Sequence, residues 1–210
     1  MGPNRELAIK RYRKHANGYD ATTHRMEPVR KQVIEALRAH RGDTVLDVAC
    51  GTGKSFALIQ EAIGDTGHLV AIDQSPDMLA VARQRIDVAG WRNVTLIEAS
   101  MEQAPIPADI DAVLFCYTHD VLRSPAALEN IFRHAKSGAR IAVTGTKLLP
   151  WWVGFLNPVV LIRSYPYLTT FDGLARPWTL LEDYVPNLRM RSTLWGTGYV
   201  ASGTYGGRRL

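Results

Sequence analysis

Residues 44–53 read Thr44-Val45-Leu46-Asp47-Val48-Ala49-Cys50-Gly51-Thr52-Gly53, and this stretch decides the fold. A short β-branched run passes directly into a turn of small residues. Such residues let the backbone turn sharply and come close to a ligand. Beyond the turn, Phe56 to Ile63 reads as a helix stopped by Gly64. The free N–H groups at the start of such a helix favour anionic or carbonyl-like partners.

The same alternation continues outward. HLVAID (68–73) is a second strand; Ser75, Pro76 and Gly90 then supply the cap, first position and stop of a helix. VTLIEA (94–99) and DAVLFC (111–116) are the third and fourth strands, and ARIAVTG (139–145) the fifth. Ser124 and Pro125 repeat the cap signature, with Leu128, Ile131, Phe132 and Ala135 on one helical face. An N-terminal helix from Glu27 to Ala39 precedes the first strand. Residues 188–206 read as two runs joined near Gly196-Thr197-Gly198, an antiparallel hairpin. The expected fold is α/β: a single Rossmann-like doubly wound sheet, mostly parallel with a C-terminal antiparallel hairpin. Ligands to such sheets sit beyond the carboxyl ends of the strands, so the turns after Val48, Ile72, Ala99 and Phe115 matter.

Composition narrows the function classes. Of 210 residues, 46% are hydrophobic and 21% charged, which excludes a disordered, collagenous or coiled-coil chain. Cys50 and Cys116, the only two cysteines, cannot make a disulfide framework or a structural zinc site. The net charge of +5 arises in residues 1–41, whose ten Lys/Arg against four Asp/Glu give a surplus of six, while residues 42–210 balance at minus one. A solvated helical face is the bland reading of that surplus; peripheral contact with an acidic surface, phospholipid or nucleic acid, is the sharper one. Arg5, Glu6, Lys10 and Arg11 interrupt any apolar start of a secretory signal, and Glu6 stands where a myristoylation motif wants Ser or Thr. Leu148 to Ile162 is apolar but shorter than the roughly 20 residues of a membrane span, and Pro150, Gly154, Asn157 and Pro158 interrupt it. A cytoplasmic protein is expected, and monomer and homodimer both remain open.

Asp73 ends the second strand, twenty residues after Gly53. An acidic side chain there can accept from both hydroxyls of a ribose, so turn and acid together indicate an adenosine ligand. A dinucleotide fingerprint does not fit, because Lys54 takes the place of its third glycine. Gly53-Lys54-Ser55 mimics the end of a P-loop, but the loop's first glycine would fall at Val48.

VLDVACGTG (45–53) followed by VAIDQSPDML (70–79) resembles the class I S-adenosylmethionine-dependent methyltransferases, in the branch with the quinone and many small-molecule methyltransferases. The resemblance covers about residues 40–147 and is specific for the cofactor rather than the substrate. It implies S-adenosylmethionine as cofactor and one domain over 1–210: an N-terminal helical arm (1–41), a cofactor-binding core (42–146), a substrate-side insert or lid (147–178) and a C-terminal helix and hairpin (179–210). By position, Asp47 anchors the turn near the methionine amino end, and Ala49, Gly51, Thr52 and Gly53 line the methionine and ribose. Asp73 holds the ribose hydroxyls beside Gln74, and Met78 packs on the adenine. Ser100 replaces the family's usual aspartate after the third strand, leaving Met101 to meet the ring through its backbone. Cys116 lends a carbonyl rather than a nucleophilic thiol. Tyr19, next to Asp20, resembles the tyrosine that folds over the cofactor; Tyr12, His15 and His24 are alternatives, and an ordinary amphipathic helix is the competing reading.

The resemblance further implies methyl transfer by direct in-line displacement to a hydrophobic small-molecule acceptor. His119, after the fourth strand, is the candidate general base. Tyr117, Trp151, Trp152 and Phe155 are candidate substrate contacts, the last three in an aromatic insert that reads as a lid or as core packing. No metal-ligand cluster is visible. Competing readings are a phospholipid-headgroup (phosphatidylethanolamine-type) N-methyltransferase and an S-adenosylmethionine-binding protein that transfers nothing. Phe115-Cys116-Tyr117-Thr118-His119 lacks the Pro-Pro-aromatic block of amino-group DNA methyltransferases, so no nucleic-acid partner is expected.

Overall fold

Parallel strands need long crossovers, and the sequence supplies a helix at most of them. A computed structural model describes residues 26–107 and 109–207. Helix α1 (Glu27–Leu37) precedes β1 (Thr44–Val48); α2 (Phe56–Ile63), β2 (His68–Asp73), α3 (Pro76–Ala89) and β3 (Val94–Glu98) follow. Then come β4 (Ile110–Cys116), the short α4 (His119–Leu122), α5 (Pro125–His134) and β5 (Ala135–Thr146). A 3₁₀ segment (Trp151–Leu156) leads into α6 (Asn157–Ser164), and the chain closes on β6 (Arg189–Thr193) and β7 (Gly198–Thr204). Capping residues set the helix starts as the sequence predicts. Ser75 Oγ accepts from Met78 N at 3.4 Å, and Ser124 Oγ accepts from Ala127 N at 3.3 Å.

The seven strands run in the order β3-β2-β1-β4-β5-β7-β6. Pairs β1–β2, β1–β4, β2–β3 and β4–β5 are parallel, while β5–β7 and β6–β7 are antiparallel. The direction of winding reverses between β1 and β4, and Val48 pairs with Ile72 on one side and Phe115 on the other. The turns after three strands therefore meet at one edge, at the switch point where open α/β sheets bind ligands.

Alternate residues of each central strand enter different cores. Leu46, Val48, Val70, Ile72, Val113 and Phe115 pack with Leu128, Ile131 and Phe132 of α5 and with Trp178, Leu181 and Val185. Val45, Leu69, Ala71, Ala112 and Leu114 pack with Val29, Val33 and Leu37 of α1 and Phe56, Ile59 and Ile63 of α2. Burial on both faces is the reason these strands read as near-continuous apolar runs.

The structure departs from the sequence reading in three places. Helix α1 stops at Leu37, because Arg38 turns left-handed with φ 50°. Ala135 is not on the apolar face of α5; its extended backbone ends that helix and opens β5. The expected C-terminal helix is absent from residues 179–188, which form successive turns such as Leu181 N to Trp178 O at 2.9 Å. Pro186 has no N–H to continue such a ladder. No helix among the described residues is long and apolar enough to cross a membrane.

Those turns lie against β7 at a glycine. A Cβ on Gly203 would come within 2.5 Å of Val185 Cγ1, 2.8 Å of Asn187 Oδ1 and 3.2 Å of the Leu188 Cα. Gly203→Ala is expected to lower the stability by roughly 1–3 kcal/mol, the usual cost of overpacking, read as a lower denaturation midpoint at unchanged slope.

Candidate active site

Three backbone turns build the site. After β1, Ala49, Gly51 and Gly53 are left-handed, with φ of 50°, 58° and 76°. A Cβ on Gly53 would lie 2.5 Å from the Phe56 ring, so packing as well as conformation demands glycine there. A Cβ on Gly51 would meet nothing within 4 Å, because that position faces open space. Tyr117, after β4, is also left-handed, with φ 62°. Strained non-glycine residues at the ends of neighbouring strands are a feature of functional sites. Asp73 joins the turns: its Oδ2 accepts from Gly51 N and its Oδ1 from Ser75 N, both at 2.8 Å. Each carboxylate oxygen keeps acceptor capacity for a further donor.

A first cleft of about 1190 Å³, up to its open mouth, lies over these turns. It is lined by Ala49, Gly51 and Thr52 after β1, Asp73, Gln74 and Met78 after β2, Ser100 and Met101 after β3, and Cys116 after β4. Asn130 Nδ2 holds the turn after β3 by donating to Met101 O at 2.9 Å and Ala104 O at 3.0 Å. Asp47 and Gly53 are buried and are not part of the lining. Tyr19 lies outside the described residues, as do Tyr12, His15, Asp20 and His24.

A second cleft of about 1200 Å³ adjoins the first, sharing Arg30, Tyr117, His119, Tyr167 and Leu168 with it. The insert contributes to this cleft, but not through the residues its sequence suggested. Trp151, Trp152 and Phe155 line neither cleft and are 88%, 65% and 77% exposed. The helical period turns them outward, and Val159, Val160, Arg163 and Ser164 of α6 take their place together with Tyr167 and Leu168. No Asp or Glu among the described residues lines the second cleft.

His119 stands in the shared wall. It is buried, and neither ring nitrogen has a hydrogen-bond partner among the described residues. Burial pulls its pKa below the ordinary histidine value, against the opposing charge of Asp120. Asp120 does not orient the ring; its carboxylate accepts from Thr169 Oγ1 at 2.6 Å and so pins the end of the insert.

Arg30 of α1 is the residue that sequence reasoning missed. It is 7% exposed, lines both clefts, and donates through one terminal nitrogen to Ser55 Oγ at 3.2 Å and Cys116 Sγ at 3.3 Å. Its place in the sequence carried a signal: Arg30, Val33, Ile34 and Leu37 form one buried stripe at i, i+3, i+4 and i+7. A cation on such a stripe needs a partner. The Arg30 Nε lies 3.5 Å from Glu27 Oε2, and Asp47, 1% exposed and with no hydrogen-bond partner at Oδ2 among the described residues, is the nearby buried acid. Burial raises its pKa to about 7, with Arg30 opposing and Asp73 adding to the rise. Burial likewise pushes the Cys116 thiol up to about 11 and the Cys50 thiol well above its usual value, so neither is a ready thiolate.

Residues 45–138 match a family described as a methyltransferase domain. The demethylmenaquinone methyltransferase of Listeria welshimeri is 31% identical over 132 residues, 61% of this chain and 56% of that protein. The ubiquinone/menaquinone biosynthesis C-methyltransferase of Photorhabdus laumondii is 32% identical over 120 residues, 54% and 47% of the two chains. The chain thus spans about half the length of the curated relatives it matches. Among solved structures, the N-methyltransferase NodS of Bradyrhizobium japonicum, in complex with S-adenosylhomocysteine, shares the fold at a TM-score of 0.71 and 12% identity, covering 95% of this chain and 98% of that one. A methyltransferase of Aquifex aeolicus, described as S-adenosylmethionine-dependent, does so at 0.59 and 19%, covering 84% and 89%. Residues 45–138 thus match a methyltransferase domain, and sheet order and relatives agree in making the chain similar to S-adenosylmethionine-dependent methyltransferases.

Proposed function

We propose that the first cleft binds S-adenosylmethionine and that the second holds a hydrophobic small-molecule acceptor, methylated by direct in-line displacement. The observation that carries this reading is the shared wall: Arg30, Tyr117, His119, Tyr167 and Leu168 face both clefts, so a donor in one and an acceptor in the other meet without a further channel. The cofactor supplies a methyl group already activated on a sulfonium. The protein's task is to align the partners and exclude water, and positioning alone can contribute roughly 7–11 kcal/mol.

The chain's own residues take the following roles. Asp73 accepts from the ribose hydroxyls while tying Gly51 and Ser75; Gln74, Met78, Ser100 and Met101 surround the adenosine. Ala49, Gly51, Thr52 and Cys116 line the methionine end, with Gly53 and the charge of Asp47 beneath them. Tyr117 orients the acceptor, and His119 takes its proton. The relatives named for menaquinone and ubiquinone biosynthesis, one of them as a C-methyltransferase, favour a quinone-type acceptor methylated at carbon. The cleft chemistry points the same way. Among the described residues Arg30 and Arg163 line the second cleft and no acid does, which suits an acceptor that carries or develops negative charge and disfavours a cationic headgroup amine.

Three outcomes test the reading. Calorimetry should show binding of S-adenosylhomocysteine and no comparable binding of NAD. Asp73→Asn should weaken that binding at least tenfold, since a hydrogen bond to a charged acceptor is worth roughly 1.5–3 kcal/mol. Retained affinity would put the ribose elsewhere.

Asp47 gives a result with a definite sign. Its folded pKa of about 7 lies above the ordinary value, so its ionisation opposes folding. That penalty is absent below about pH 4 and complete above pH 7. Asp47→Asn should therefore stabilise the cofactor-free protein at pH 8, by roughly 1–4 kcal/mol, and hardly at all at pH 4. The same substitution should weaken cofactor binding at pH 8. A variant that is less stable at pH 8 contradicts the account.

His119→Ala should lower turnover by about 10²-fold or more, the usual share of general acid–base catalysis, with cofactor affinity unchanged. With cofactor saturating, so that protonation of Asp47 does not limit the rate, parent activity should fall on acidification through an ionisation below the ordinary histidine value of about 6.5, because burial favours the neutral ring. Normal turnover in the variant would make the histidine a wall and favour an acceptor that needs no base.

A further inference from the structure

Among the described residues, a large exposed apolar surface lies at the rim of the second cleft. Along the 3₁₀ segment and α6, Trp151, Trp152, Phe155, Leu156, Val159 and Ile162 are 88%, 65%, 77%, 45%, 52% and 73% exposed. All of them are turned to solvent, while Val160 and Ser164 of α6 are buried. This is an amphipathic helix turned inside out, with aromatic rings towards solvent. The Trp151 and Trp152 rings meet edge to face at 6.0 Å, which holds the pair as one block.

The turn between β6 and β7 continues this face. Leu194 and Trp195 are consecutive left-handed residues, φ 49° and 55°, and Trp195 is fully exposed. Non-glycine residues rarely adopt that conformation, and here it presents an indole to solvent. A Cβ on Gly196 would lie 3.2 Å from Leu149 Cδ2, so this turn sits beside the start of the insert. Val159 and Leu194 both also line the second cleft, which places the apolar face at that cleft's rim.

Charge identifies the occupant. From Leu148 to Phe171, and again from Leu188 to Gly207, the sequence holds no Asp or Glu. It does hold Arg163, Arg189 and Arg191, all exposed. A second copy of the chain would bring the same positive charges against these. An anionic bilayer instead accepts indole and phenyl rings at its interface and attracts the arginines around them.

We propose that the face formed by Trp151, Trp152, Phe155, Val159, Ile162 and Trp195 docks on an anionic phospholipid surface, with the rim of the second cleft against the lipid. The docking does not rest on methyl transfer, although it would let an apolar acceptor enter from the bilayer.

Co-sedimentation of the intact protein with vesicles of phosphatidylcholine, with and without phosphatidylglycerol, tests it. The protein should pellet with the anionic vesicles, its tryptophan emission should shift to the blue, and added salt should weaken the binding. A Trp151→Ser, Trp152→Ser, Phe155→Ser variant should partition at least about tenfold less, since three large apolar side chains would lose their burial. Its affinity for S-adenosylhomocysteine should be unchanged, which shows that it is folded and separates this test from that of the active site. Failure of the parent to pellet with anionic vesicles overturns the proposal. So does equal binding to both vesicle types, or a variant that pellets like the parent. A self-association that the same substitutions abolish, without vesicle binding, would assign the face to a second copy.

Discussion

The Asp73 carboxylate is the joint on which the site depends. It ends β2, yet its two oxygens accept from Gly51 after β1 and from Ser75 at the start of α3, each at 2.8 Å. One side chain thus fixes the distance between a glycine turn and a helix N-terminus. The parallel register of β1 with β2 and β4 brings the rest of the site to the same edge. Desolvation raises the Asp73 pKa, and the hydrogen bonds from Ser75 and Gly51 work against that rise. The same bonds that shape the turn therefore help to keep the carboxylate in the form that accepts from a ligand.

A second constraint is electrostatic. Arg30 and Asp47 bring a cation and an acid into a region with little water, and neither position is good for stability by itself. Residues that cost stability where ligands bind are a recurrent feature of enzymes. Here the arrangement has a direction: the unpartnered acid lies beneath the turn of the first cleft, and the cation faces both clefts. His119 adds a neutral, unpartnered ring to the shared wall, and Asp120 is engaged by the insert rather than by that ring.

Most of the fold was legible because local signals and tertiary demands coincide. The caps Ser75 and Ser124, the stop at Gly90 and the β-branched strands mark elements that the sheet also requires. The turns that line the first cleft were legible for the same reason, since backbone turns after strands are set by glycine and aspartate. The acceptor side was not. Periodicity shows that Trp151, Trp152 and Phe155 share a face, but not whether that face turns inward, and aromatic residues are ordinarily buried. Arg30 was hidden because nothing in the sequence says that α1 covers the strand ends at the clefts. The C-terminal helix came only with the family resemblance; residues 179–188 instead form turns packed closely on β7 at Gly203.

A crystal structure with S-adenosylhomocysteine would test the central claim most directly, because it locates both the cofactor and the transferred-methyl position. The account predicts the ribose hydroxyls on Asp73, the adenine between Met78 and Met101, and the sulfur directed at the wall formed by Tyr117 and His119. An adenosine seated in the second cleft, or a sulfur directed away from that wall, would contradict it.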